Sequence, residues 1–234
     1  MNLDLLPTRI GGAAENMAVD FLLLQRYPGA ERPRFRHYDW RGPAFTFGYS
    51  QKIADVRGLL PGPDPVDLCR RPTGGGLVNH AEDWTYTLVA PRGTALEEMR
   101  AVESYRTVHQ ALAAALHRQG VPAELNQTPN SDPVRAVCFN KAELYDVIHA
   151  GTGEKLAGAA QNRNKRGLLC QGSLWRPATG GATVDWEKLE SDFAALLAQV
   201  LGGSAEPVPW PDWDEDEVSG LTERYASADW VELR

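Results

Sequence analysis

One stretch, Arg70-Arg71-Pro72-Thr73-Gly74-Gly75-Gly76, constrains the fold more than any other, because strand patterns flank it on both sides. Residues 66–71 lead into it and residues 84–89 follow it, both rich in apolar and β-favouring side chains. Phosphate loops of the Walker A and dinucleotide type run from a strand into a helix, so this loop is neither. Consecutive glycines let the backbone approach a ligand closely and point N–H groups at an anion. The paired arginines add charge that no physiological pH removes. Taken alone, the same residues also describe a plain turn with solvated arginines.

The rest of the pattern extends this β-rich reading. Residues 16–24 are helix formers that stop before Tyr27-Pro28-Gly29. Residues 34–40 alternate basic and aromatic side chains with period two, and residues 44–49 follow the turn signal Arg41-Gly42-Pro43, so the two read as a hairpin. A long helix is expected from about residue 97 to 118, ending at Gln119-Gly120, and residues 126–133 read as a loop. Strands are expected at residues 144–149 and 155–160, separated by Ala150-Gly151-Thr152-Gly153, and again at 168–174. An amphipathic helix covers residues 186–201, residues 207–211 form a rigid linker, and the acidic residues 212–217 open a last helix. Strands arrive in runs rather than one for one with helices. The expected class is α+β, with largely antiparallel sheets flanked by helices in a single domain over residues 1–234.

Composition narrows the function. The balance of 24 Lys+Arg against 31 Asp+Glu gives −7, which argues against nucleic acid as the main partner. No apolar run approaches the ~20 residues of a membrane helix, and Met1-Asn2-Leu3-Asp4 is no secretory leader, so a cytoplasmic protein away from membranes is expected. Three widely spaced cysteines (Cys69, Cys138 and Cys170) suit a reducing compartment, and without a Cys-x-x-Cys pair or clustered histidines no metal site is expected.

Two more features carry chemistry. Lys155 opens the run Lys155-Leu156-Ala157-Gly158-Ala159-Ala160-Gln161, where small side chains leave room for an alkyl chain beside a cation. Its bland alternative is a solvated lysine beside a turn. Cys138, in Cys138-Phe139, follows a polar loop rather than sitting inside an apolar run, as Cys69 and Cys170 do. It is a nucleophile only as the thiolate, and a neighbouring lysine favours that form. Its alternative is a small buried hydrophobe.

In combination and order these pieces resemble the lipoate–protein ligase and octanoyltransferase family, which shares its catalytic fold with biotin–protein ligases. The resemblance spans nearly the whole chain. It includes Asn16-Met17-Ala18, the arginine–glycine loop, His80, Cys138-Phe139, residues 155–161, Gln171-Gly172-Ser173 and residues 224–230. Cys138-Phe139 lies 17 residues before Lys155, as in the cysteine-dependent octanoyltransferase branch. The triple glycine is more usual in the ligases, and their Asn-Asp signature is represented only by Asn130-Ser131-Asp132. No large C-terminal accessory domain is expected.

The resemblance implies an acyltransferase that moves octanoyl or lipoyl from acyl carrier protein through a Cys138 thioester. The acceptor is a lysine of a lipoyl-type domain, such as glycine cleavage H protein or a 2-oxo acid dehydrogenase acyltransferase component. It implies no cofactor and a monomer. Cys138 and Lys155 would be catalytic, and Lys155 has three roles open to it: stabilising the thiolate, polarising the carbonyl, or accepting a proton. Arg70, Arg71, Thr73, Gly74, Gly75, Gly76, His80, Gly158, Ala159 and Ala160 would bind substrate, helped by Tyr38 or Trp40. Arg70, Arg71, Arg163, Lys165 and Arg166 would offer a positive face to an acidic carrier. The alternatives are an ATP- and Mg-dependent lipoate ligase and an amidotransferase between lipoyl-domain proteins.

Overall fold

The computed structural model describes residues 1–26, 32–62, 66–129 and 142–233. Strands β1 (Leu3–Leu5) and β2 (Arg9–Gly11) precede helix α1 (Ala13–Gln25), then come β3 (Arg34–Trp40) and β4 (Ala44–Phe47). Helix α2 (Ile53–Arg57) leads to β5 (Asp67–Arg70), β6 (Val78–Asn79) and β7 (Asp83–Pro91). Helices α3 (Ala95–Glu98) and α4 (Ala101–Arg118) are followed by β8 (Ala123–Leu125), β9 (Val147–His149), β10 (Lys155–Asn164) and β11 (Gly167–Trp175). Helix α5 (Trp186–Val200), β12 (Ala205–Pro207), α6 (Glu215–Ala226) and α7 (Ala228–Val231) complete the chain.

A nine-stranded sheet runs in the order β12-β1-β3-β7-β11-β10-β9-β8, with β2 also paired to β3. From β3 to β8 every pairing is antiparallel, whereas β1 pairs parallel to both β3 and β12. Alternation along the strands sorts the two faces. Trp84, Tyr86 and Leu88 of β7 join Val108 and Leu112 of α4 and Phe193 and Leu197 of α5 in one core. Val89 and Leu169 face the other way, against Leu22 and Leu23 of α1 and Val218 of α6. The sheet is thus covered on both faces, which is the expected α+β class. No helix among the described residues is long and apolar enough to cross a membrane.

Two expectations need correction. Residues 34–40 and 44–49 are not a hairpin: β3 lies in the large sheet between β1 and β7, while β4 pairs with β5 and β6 in a separate three-stranded sheet. Arg41-Gly42-Pro43 carries the chain from one sheet to the other. The single helix expected from residue 97 is interrupted, because Met99 and Arg100 are extended (ψ 150° for both). Arg100 then caps α4, its N–H donating to the Glu103 carboxylate at 3.3 Å.

Helix α5 carries a carboxyl against its own preference. Glu190 lies half-buried on a cleft lined by Leu5, Pro7, Glu187 and Pro209. Burial first, then Glu187 and Asp39, push its pKa up to about 7, opposed by a hydrogen bond from the His37 backbone. The folded state therefore holds this proton more tightly than the unfolded one. The group's stability contribution is fully present below about pH 4.5 and is lost as pH rises through about 7. Discounted for solvent screening at a half-exposed site, Glu190→Gln should gain about 1 kcal/mol at pH 8 and almost nothing at pH 5. Thermal melts at the two pH values check this, with a Tm rise of about 2–4 °C expected only at pH 8. Equal shifts at both would refute the assignment.

Candidate active site

The glycine loop leaves β5 and folds back on β4. The Tyr49 N–H donates to the Thr73 carbonyl and the Arg71 N–H to the Phe47 carbonyl, each at 2.8 Å. Gly75 adopts φ 89°, which favours glycine. The Arg71 side chain closes the loop on itself, donating to the carbonyls of Gly74 (2.9 Å) and Gly76 (2.8 Å) and to Thr46 Oγ1 (2.8 Å). Arg70 is fully buried and donates to the carbonyls of Tyr49, Gln51, Trp230 and Val231. The expectation that these two arginines offer charge to a substrate or an acidic carrier is therefore corrected. They brace the loop, and Arg70 ties it to the C-terminal helix.

The floor beneath the loop is β10 and β11. Gly158 pairs with Ser173 and Ala160 with Gln171. A Cβ placed on Gly75 would lie 3.7 Å from Ala160, so the loop sits directly over β10. Thr73 Oγ1 donates to Gln171 Oε1 at 2.7 Å and fixes the loop to the floor. Alternation corrects one expected residue: Ala159 turns to the other face, where it packs against the α4–α5 core. Small residues at 158 and 160 alone face the loop.

His80 closes one end. Its Nδ1–H donates to Asp83 Oδ2 at 2.6 Å, which leaves Nε2 to meet the Thr46 hydroxyl at 2.7 Å. Asp83 Oδ2 also accepts Thr85 Oγ1 (3.0 Å) and Ser173 Oγ (2.5 Å). The half-buried Trp40 ring stacks on the imidazole at 3.9 Å. Both ring nitrogens meet protein groups, so the imidazole is a rigid wall.

Lys155 is not a solvated turn lysine. It is 9 % exposed, and its Nζ lies 2.7 Å from Oδ2 of the buried Asp146. The same oxygen accepts the Glu143 N–H at 2.7 Å, and Oδ1 accepts the Tyr105 hydroxyl. A Cβ on Gly158 would lie 2.8 Å from Nζ, so the glycine is what admits the amine. The sequence reading missed Asp146, Tyr105, Asp83 and Asp20. One signal was available, since Asp83 stands three residues after His80; the turn that places Asp146, at Tyr145 with φ 67°, leaves no mark in the sequence.

Cys138 lies outside the described residues. The other two cysteines are buried. Burial holds the Cys69 thiol far up and pushes Cys170 up to about 12, so neither is a thiolate at neutral pH. Of the remaining basic candidates, Arg163 is engaged by the Glu97 carbonyl and by Ser104 Oγ, while Lys165 and Arg166 are exposed at the β10–β11 turn. At about 3.3 Å per residue that turn lies roughly 30 Å along β10 from Lys155.

Known proteins match this sequence and this architecture. Residues 12–178 match the family model of the Lipoyl protein ligase A/B catalytic domain. Octanoyltransferase LipM of Symbiobacterium thermophilum is 30 % identical, over 98 % of this chain and 97 % of its own length. Octanoyltransferase LipM of an Exiguobacterium species is 32 % identical over 73 % of this chain, and the alignment spans 64 % of that relative. Among solved structures, a lipoate-protein ligase A bound with ATP aligns over 100 % of both chains with a TM-score of 0.78 at 18 % identity. A putative lipoate protein ligase from T. acidophilum gives 0.75 at 18 % identity, over 100 % of this chain and 99 % of its own. At such identity the structures speak for the fold. The family match over most of the chain settles the rest: this protein belongs to the lipoyl protein ligase A/B catalytic-domain family.

Proposed function

We propose that this chain is an octanoyltransferase of protein lipoylation that takes octanoyl from acyl carrier protein onto Cys138 and passes it to a lysine of a lipoyl-type acceptor domain. The observation that carries the reading is the buried Lys155 amine, held by Asp146 against Gly158, two residues along β10 from the Ala160 that the glycine loop covers. In this reading the amine meets the acyl carbonyl and the alkyl chain runs along the small residues of β10. The withdrawal of Cys69 and Cys170 from thiolate chemistry supports Cys138 as the nucleophile. So do the relatives named octanoyltransferase.

The Cys138 thiol gives up its proton and its sulfur adds to the thioester carbonyl; the bond to the carrier sulfur breaks, and the carrier leaves as a thiol that has taken that proton. The acceptor amine then adds to the acyl-enzyme, the Cys138 C–S bond breaks, an amide forms, and the proton lost by the amine ends on Cys138 sulfur. Thioester exchange is nearly thermoneutral and amide formation is downhill, so the reaction runs without ATP or another cofactor. In this reading the enzyme works in the cytoplasm as a single-domain monomer.

Intact-protein mass spectrometry after mixing with octanoyl-acyl carrier protein, without ATP, tests this. An octanoyl adduct that hydroxylamine removes, and that Cys138→Ala lacks, is expected. No adduct, with acceptor modification only from free acid plus ATP and Mg²⁺, would mean a ligase and would return Cys138 to packing.

A further inference from the structure

Lys155 is held from a helix it does not belong to. Tyr105 and His109 stand four residues apart on one face of α4, their rings edge to face at 4.2 Å. His109 is fully buried, and its Nδ1–H donates to the Tyr145 carbonyl at 2.6 Å. Burial lowers its pKa, so the ring stays neutral and the proton stays on Nδ1. This bond fixes the peptide after Tyr145, which the left-handed turn at that residue aims inward. The next residue, Asp146, is then closed by its own N–H to the Glu143 carbonyl at 3.0 Å. Tyr105 completes the grip: its hydroxyl donates to Asp146 Oδ1 and accepts the Ala159 N–H at 3.1 Å. Burial, then the Asp146 charge, push Tyr105 well up, so it remains a phenol and a donor.

We propose that α4, through Tyr105 and His109, uses Asp146 as a clamp that holds the Lys155 amine in place at the reacting carbonyl. This rests on the acyl-transfer reading and adds to it the residues that place the lysine. Asp146, Tyr105 and His109 are positioning residues, since they act through Lys155.

Two variants of the full chain, Asp146→Asn and Tyr105→Phe, test the clamp with two readouts. The first is amine reactivity: labelling with N-hydroxysuccinimidyl acetate at pH 8, followed lysine by lysine by peptide mass spectrometry, with the exposed Lys165 as reference. Lys155 should be among the slowest lysines in the parent and at least tenfold faster relative to Lys165 in Asp146→Asn. A smaller rise is expected in Tyr105→Phe. The second is turnover: Asp146→Asn should lower kcat at least 100-fold and Tyr105→Phe about tenfold, with KM for the acyl carrier within threefold of the parent in both. Unchanged Lys155 labelling in both variants overturns the clamp. Faster labelling with parental turnover overturns the positioning role, because a freed amine would then serve equally well. Should Asp146→Asn fail to fold, Tyr105→Phe, which removes a single hydroxyl, carries both readouts. Labelling needs no substrate, so failure of the clamp and failure of the acyl-transfer reading are seen separately.

Discussion

Asp20→Ala is expected to destabilise the protein by about 3–5 kcal/mol, because it strands a charge in the interior. Asp20 and Arg36 are both fully buried, between α1 and the sheet, with Arg36 Nη2 at 2.6 Å and Nε at 2.8 Å from Asp20 Oδ1. The guanidinium also donates to the Asn16 carbonyl at 2.9 Å and lies 3.9 Å from the Tyr38 ring centre, so it has no route to water. Asp20 Oδ2 accepts Thr87 Oγ1 (2.8 Å) and Gln171 Nε2 (2.6 Å), and Gln171 in turn holds Thr73. The substitution therefore reaches the glycine loop through a continuous chain of hydrogen bonds. Denaturant unfolding should show the loss, and thermal melts a fall of about 10 °C, from 2–4 °C per kcal/mol at this size. Asp20→Leu with Arg36→Met removes both charges and should recover much of the stability. A single variant costing under about 1 kcal/mol, or a double variant no better than the single, would show that the pair is not the buried anchor described.

This pair also marks where the sequence stops being legible. The alternation of residues 34–40 correctly reads as a strand, yet solvated basic side chains are the natural inference from Arg34 and Arg36 on one face and His37 on the other. All three are buried, because α1 brings Asp20 and β7 brings its backbone carbonyls to meet them. Partners from separate segments leave no periodic trace. The same holds for Lys155, whose neighbours Tyr105 and Asp146 come from α4 and from the turn before β9. What was readable is local: the strands at β7, β10 and β11, the glycine loop between strands, the helices α1, α4, α5 and α6. The short strands β1, β2 and β12 are three residues each, too short for a period to show. The false hairpin has a similar cause. A turn signal between two aromatic strands says that the chain changes direction, and it cannot say that the second strand joins another sheet.

The loop over the floor supplies the sharpest contrast between stability and activity. Gly48→Ala is expected to lower kcat/KM about 100-fold or more while costing only about 1–3 kcal/mol of stability. Gly48 follows β4, and a Cβ there would lie 2.0 Å from the Gly75 carbonyl oxygen and 2.9 Å from the Gly74 and Gly75 carbonyl carbons. All three obstacles are backbone, so no rotamer change relieves them; the loop must move. Moving it by about an ångström breaks the Arg71 bridges to Gly74 and Gly76 and the Thr73–Gln171 bond. Misplacement of that size is enough to lose about two orders of magnitude in rate when the loop forms one wall of the reacting site. The apolar cluster of Phe45, Phe47, Val56 and Leu77 supplies none of the atoms that the added Cβ meets, so the direct cost to packing is small. Gly42, just before β4 at its other end, has no atom within 4 Å of an added Cβ, so Gly42→Ala should leave both stability and rate within error. Steady-state kinetics with octanoyl-acyl carrier protein, beside thermal melts of both variants, read the two effects apart. A Gly48→Ala enzyme with parental kcat/KM would mean that the loop does not wall the acyl site, and the slot would have to be sought elsewhere along β10.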